Sequence, residues 1–285
     1  MRAIFRYTLN GLRAAILGWG IALAVLGAYI LSFYDTIVQQ REAWERLLQM
    51  FPKELLAFFG EVERFTTPEG YLDSQFFSLM PVILGVYAVL VGASLLAEPE
   101  ERGVLDLLMG HPISRSAFFF GRWLAFAAAT VAILGLTWLG FMLGKPLAAR
   151  LEVTPGALAL PFFSLLAVLM LFAHLAIFLS QILPSRNMAA MVAGLLLGAS
   201  FFITALARIN PDLETINQLS PLAYYQGGLA IHGLKLDWFL SLLTASLVFL
   251  MLAWWRFERR DLRVSGEGSW GFPWRRPPSS VSKGP

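Results

Sequence analysis

Side chains suited to catalysis or metal binding are few in this sequence, and their spacing matches no common catalytic or metal site. The three histidines, His111, His174 and His232, are too far apart for the usual zinc-ligand spacing. The absence of cysteine excludes disulfides, thiolate catalysis and cysteine-ligated metals. Gly144-Lys145 lacks the earlier glycine and the following Ser or Thr of a phosphate-binding loop. These residues favour a non-catalytic protein that holds no cofactor or metal of its own.

A cluster of charged residues between two apolar runs is the most distinctive polar feature, because charged residues are scarce in the chain. We call it the acidic cluster; it consists of Glu98, Glu100, Glu101, Arg102 and Asp106. The pair Glu100 and Glu101 is similar to the start of the paired-glutamate motif of intramembrane CAAX-type proteases. That motif requires an arginine four residues after the second glutamate, and this chain has Leu105 there. An intramembrane enzyme is therefore a minor alternative.

Apolar residues follow the acidic cluster at helical spacing as far as Leu108. This pattern predicts a short helix with one apolar and one acidic face, which suits a membrane surface or a soluble partner. Pro112 would end this helix, and Ser114 is placed to cap the next long one. A solvated connecting loop is the alternative that periodicity leaves open.

The composition identifies an integral membrane protein. Hydrophobic residues make up 57% of the chain and charged residues 14%, whereas soluble domains carry roughly 25% charged residues. The apolar runs approach the ~20 residues that cross a bilayer, and lipid offers no partner for unpaired backbone groups. We therefore predict an all-α membrane protein with six transmembrane helices, at about residues 14–33, 76–97, 117–143, 157–183, 188–206 and 238–255.

Three of the segments outside these spans carry predictions of their own. Residues 1–13 alternate basic and apolar side chains, which predicts an amphipathic helix in the membrane interface that leads into span one. The long polar segment after span one predicts two short helices on the outer leaflet, at 39–50 and 52–59. The Gly-, Pro- and Ser-rich tail at 261–285 is predicted to be disordered and cytoplasmic. The transmembrane domain is therefore expected to span 1–260.

Charge sets the predicted orientation. Six spans put both termini on one side, and 14 of the 22 Lys and Arg residues lie on that side. The positive-inside rule therefore places the termini and the acidic cluster in the cytoplasm. We expect the chain to lie in the cell membrane. Because positive charge is ordinary there, the net charge of +3 does not argue for nucleic acid as a partner.

Within the spans, His174 is the one ionisable residue that we expect, and no carboxylate is expected to be buried. An intramembrane ionisable residue is a candidate for a substrate path. The alternative is a neutral histidine that hydrogen-bonds a neighbouring helix. The lack of a buried carboxylate argues against a proton-coupled carrier.

The acidic cluster and the residues after it form an ordered pattern: acidic residues, a glycine, leucines, and then Pro-Ile-Ser-Arg. Its members are Glu98, Glu100, Glu101, Gly103, Leu105, Leu107, Leu108, Pro112, Ile113, Ser114 and Arg115. With six spans and a long loop after span one, this pattern resembles the permease subunit of ABC-2 type (type V) ABC transporters. The usual Thr-Leu-Glu after the glycine is Val104-Leu105-Asp106 here. The resemblance covers about residues 1–260.

The resemblance implies an exporter permease whose segment 98–111 is a coupling helix that docks on a separate ATP-binding subunit. The implied coupling residues are Glu98, Glu100, Glu101, Arg102, Gly103, Leu105, Leu107, Leu108, Pro112 and Arg115. ATP and Mg²⁺ would bind two such subunits, which would move two permease chains in a homo- or heterodimer. Small residues in spans one and five are candidate dimer surfaces: Gly18, Ala22, Ala190, Gly194 and Gly198. A mechanotransmission or maturation subunit without a small substrate is the alternative within the family.

Overall fold

The computed structural model of the chain describes residues 1–59, 64–101, 103 and 113–259. All regular structure in these residues is helical, and six helices are long and apolar enough to cross a membrane. They are α1 (Arg2–Gln39), α2 (Met80–Glu101), α3 (Arg115–Gly144), α4 (Pro155–Ile182), α5 (Arg186–Ala207) and α6 (Leu236–Arg259). This confirms the predicted all-α membrane fold.

Helix α1 is longer than predicted. The expected N-terminal interfacial helix is not a separate element, because one helix of 38 residues runs from Arg2 to Gln39. No proline interrupts this stretch, so no residue forces the helix to end before the span begins. At 1.5 Å per residue the helix is about 57 Å long, well beyond the ~30 Å hydrocarbon core of a bilayer.

Helices α1 and α3 pack closely along their length. A Cβ atom on Gly140 would overlap the backbone of Ala24, and one on Gly144 would lie 2.6 Å from the Cα of Ala28. The absence of side chains at these two glycines therefore lets the helix backbones approach. At the end of the pair farther from the N-terminus, Asp35 accepts hydrogen bonds from two backbone N–H groups that follow α3, at 3.1 and 3.0 Å.

The segment after α1 contains the two short helices that the sequence predicted. They are Arg41–Leu48 and Lys53–Leu56, the second of which continues as a 3₁₀ turn over Ala57–Phe59. The helical path of span two starts earlier than predicted, with Pro68–Leu72 and a π-helical turn at Asp73–Phe77.

The expectation that no carboxylate is buried is wrong for two residues, Asp73 and, at the end of α2, Glu100. Asp73 belongs to the polar segment in the sequence, but it lies in the π-helical turn and is only 4% exposed. Its Oδ1 accepts a 2.9 Å hydrogen bond from the backbone N–H of Gly228. Because that bond joins span two to the segment before α6, Asp73 has a structural role.

Helix α4 lies at the centre of the bundle. It is the most buried of the six spans and packs against α2, α5 and α6. Most of its apolar side chains are therefore buried against protein rather than exposed to lipid. Helix α3 also contacts this central span, whereas α1 packs mainly against α3.

Candidate functional site

The three glutamates of the acidic cluster belong to the end of α2. The helix continues through Glu98 and Glu100 to Glu101 and includes Pro99 in its last turn. Gly103 then has a φ of 66°, in the left-handed region that favours glycine, and its N–H donates to the carbonyl of Glu100 at 3.0 Å. The predicted short helix after this turn lies outside the described residues, as do Arg102, Leu105, Leu107, Leu108 and Pro112.

Two of the predicted coupling carboxylates clasp the turn between α4 and α5. The guanidinium of Arg186 lies 3.2 Å from Glu101 and 3.6 Å from Glu98. The backbone N–H of Arg186 also donates to Glu101 at 3.0 Å, so this carboxylate caps the positive end of α5. We call this group, Glu98, Glu101 and Arg186, the acidic clasp.

The acidic clasp fixes the end of α2 next to the start of α5 but contributes little to stability. Its side chains are between 31% and 40% exposed. Water therefore screens the ion pairs, and each contributes at most about 1 kcal/mol. From the sequence alone, residues 184–187 are recognisable only as a tight turn between two spans. The available signal was that Arg186 is the one basic residue in a short turn on the same side as the acidic cluster.

The segment between α2 and α3, which we call the α2–α3 connection, is joined to α6 at its second end, where α3 begins. Arg115 donates to the backbone carbonyls of Phe257 and Glu258, at 3.3 and 3.2 Å. These carbonyls belong to the last turn of α6, where a cation is favourable. Ser116 donates to the Glu258 carboxylate, and Ser114 caps α3 as predicted by accepting from the N–H of Ala117 at 3.2 Å.

Glu100 differs from its two acidic neighbours. It is 5% exposed, so its carboxylate lies inside the protein rather than on the surface where a soluble partner would dock. Of the predicted coupling residues that the structure describes, Glu98, Glu101 and Arg115 hold the ends of the connection, and Gly103 provides the turn. The structure thus brings these residues to one end of the bundle and joins them to helices that the sequence did not indicate.

His174 links three spans. Its Nε2 accepts a 2.8 Å hydrogen bond from the indole N–H of Trp123 in α3. An indole can only donate, so Nε2 carries no proton and the neutral ring has its hydrogen on Nδ1. Nδ1 lies 2.7 Å from the hydroxyl and 3.0 Å from the carbonyl of Ser246 in α6. Both nitrogens are occupied by protein, which favours the helix-packing interpretation over a substrate path.

Most of the small residues proposed as dimer surfaces face away from the rest of the chain, whereas Ala190 packs against a buried apolar cluster. A Cβ atom added at Gly18, Gly194 or Gly198 would meet nothing within 4 Å. Ala22 is exposed and Ala190 is partly exposed. By contrast, Ala24 and Ala28 of span one are used inside the chain against α3. The use of the outward-facing set by a second chain remains a prediction.

Taken with the fold, these features define a multi-pass helical membrane protein with one conspicuous connection at one end of its bundle. The described residues contain no group of three or more His, Cys, Asp or Glu side chains placed to hold a metal ion. A family model described as ABC-2 family transporter protein matches residues 5–262. The chain therefore belongs to the ABC-2 transporter family and is a permease subunit of an ABC transporter, which confirms the resemblance. No match was found among curated proteins.

Proposed function

We propose that the chain is the permease subunit of an ATP-driven exporter in the cell membrane. A separate ATP-binding subunit docks on the segment between α2 and α3 from the cytoplasm and supplies the energy. Family membership and the excess of basic residues on the side of the termini support this proposal. Two permease chains and two ATP-binding subunits form the complex, and the ATP-binding subunits hold ATP and Mg²⁺.

The anchoring of the α2–α3 connection is the observation that carries the proposal. Its first end is joined to α5 by the acidic clasp, and its second end is joined to α6 by Arg115. A displacement of the connection is therefore delivered to four spans at once. ATP-driven closure of two docked subunits would move these spans together and change the path between two permease chains.

Co-purification with the ATP-binding subunit tests the docking. We expect the double variant Glu101→Ala/Leu108→Ala to lose most of the bound ATP-binding subunit, because it removes one acidic and one apolar side chain from the proposed surface. A matched control is Glu214→Ala/Leu219→Ala at the opposite end of the bundle, where both residues are exposed. Full retention of the subunit by the first variant would refute docking at this segment.

A mechanotransmission or maturation role is the second candidate. Apolar side chains on the outer side are unusually exposed, with Met50 at 82% and Leu219 at 85%. These side chains lie on the outer leaflet in an exporter, or against an extracytoplasmic partner in the alternative. Stimulation of ATP hydrolysis by a transported compound supports the exporter. Stimulation only by an outer protein, lost in Met50→Asp and Leu219→Asp, supports the alternative.

A further inference from the structure

A cleft of about 740 Å³ lies between the first turns of α1 and the last turns of α2, with α3 behind it. Its volume falls in the range of pockets that bind small molecules. Along α2 the lining passes from Val91 and Leu95 to Glu98, from apolar to charged toward the end of the bundle. A wall of this kind is suited to an amphiphile, because its apolar part can contact an acyl chain and its charged part can contact a headgroup.

Two polar atoms on the wall of this cleft lack hydrogen-bond partners among the described residues. They are Nε of Arg122 and Oγ1 of Thr8, and both are buried. Buried polar groups in folded proteins are almost always hydrogen-bonded, so two exceptions beside one cleft need a reason. Both atoms are able to donate a hydrogen bond, which indicates a ligand rich in acceptor oxygens. Because both atoms are buried, each side chain has to rotate before its donor can reach a ligand in the cleft.

The charge of the cleft favours an anion. Its charged lining residues within the described part of the chain are Arg13, Arg122 and Glu98. The Glu98 carboxylate is paired with Arg186 at 3.6 Å and also interacts electrostatically with Arg122, so its one negative charge is shared between two arginines. A guanidinium offers parallel N–H donors that match the oxygens of a phosphate group.

We propose that this cleft binds the phosphate group of an anionic phospholipid from the adjacent leaflet. Arg122 and Thr8 donate to the phosphate oxygens, Arg13 adds positive charge, and the acyl chains lie along Val91 and Leu95. The binding uses only the permease chain and does not depend on the docking of an ATP-binding subunit.

Native mass spectrometry of the purified full chain tests the proposal, with phosphatidylglycerol and phosphatidylcholine of identical acyl chains as probes. We expect preferential binding of phosphatidylglycerol. Arg122→Gln is expected to lower its apparent affinity about tenfold, the loss expected for a charge-assisted hydrogen bond. The matched control is Arg6→Gln, since Arg6 is exposed on α1 at the same end and does not line the cleft.

The hydroxyl of Thr8 gives a second test that does not alter charge. Thr8→Val, which keeps the shape, is expected to weaken phosphatidylglycerol binding, whereas Thr8→Ser is expected to retain it. This pair keeps the proposal testable if Arg122→Gln does not fold. Equal binding of the two lipids by the unmodified chain, or equal losses in Thr8→Val and Thr8→Ser, would overturn it. Complete competition by millimolar inorganic phosphate would reject a lipid as the ligand.

Discussion

At the scale of single residues, His174 shows how a polar side chain inside the membrane can be structural. Its ring accepts from Trp123 and donates to Ser246, so the one residue fixes α4 against both α3 and α6. The residue type marked His174 as a candidate for function. Only the positions of its partners, 51 and 72 residues away, distinguish packing from transport.

Replacing this histidine is expected to destabilise the bundle. His174→Leu leaves the indole N–H of Trp123 and the hydroxyl of Ser246 without their partner, which costs about 1–3 kcal/mol. Thermal unfolding in detergent should show a lower Tm. In a double-mutant cycle with Trp123→Phe, the two losses should not add, because they remove one hydrogen bond. An unchanged Tm with reduced export would instead support the substrate path.

At the scale of helices, the sequence predicted the elements that depend on local hydropathy. It did not predict the features that depend on contacts between distant segments of the chain. The six spans and the two short helices after α1 were predictable because each is a continuous apolar or amphipathic run. The π-helical turn at Asp73–Phe77 was not, since Asp73 is held by a hydrogen bond to Gly228, 155 residues away. The unbroken α1, by contrast, follows from a local property, the absence of a proline in this stretch. The tie between Glu101 and Arg186 spans 85 residues and leaves no periodic pattern.

The contact between α1 and α3 gives a prediction at this scale. A methyl group in Gly140→Ala would overlap the backbone of Ala24, so the helices must separate, at a cost of about 1–3 kcal/mol. The matched control is Gly135→Ala on the same helix, where an added Cβ meets nothing within 4 Å. Thermal unfolding should show a lower Tm for Gly140→Ala only. Equal Tm values would mean that the two helices do not depend on this close approach.

At the scale of the whole molecule, the described ends of the α2–α3 connection are fixed to α5 and α6. The acidic clasp should therefore affect transmission of motion more than stability. Its two glutamates were visible as charge in an apolar chain, but Arg186 lies 85 and 88 residues from them, so motif spacing could not have revealed the pairing.

Breaking the acidic clasp is expected to uncouple the complex. In Arg186→Gln the Tm should fall little, because the ion pairs are partly exposed, while export per ATP hydrolysed should fall severalfold. The swap Glu101→Arg/Arg186→Glu restores opposite charges between positions 101 and 186 but leaves Glu98 facing a like charge. The new side chain at position 101 also cannot accept the hydrogen bond from the N–H of residue 186, so rescue should be partial. Export measured in reconstituted vesicles checks both. Unchanged coupling in Arg186→Gln would remove the clasp from the mechanism.

The great length of α1 has a mechanical consequence. It packs on α3 from Ile4, beside Gly121, to Ala28, beside Gly144, so the two helices form one stiff rod. The rod starts at Arg115, next to the segment proposed to receive the push. Across the ~30 Å hydrocarbon core, a tilt of about 10° about one end displaces this rod by about 5 Å at the other face. A small rotation near the segment proposed to dock the ATP-binding subunit would thus become a sideways displacement of about 5 Å at the opposite membrane face.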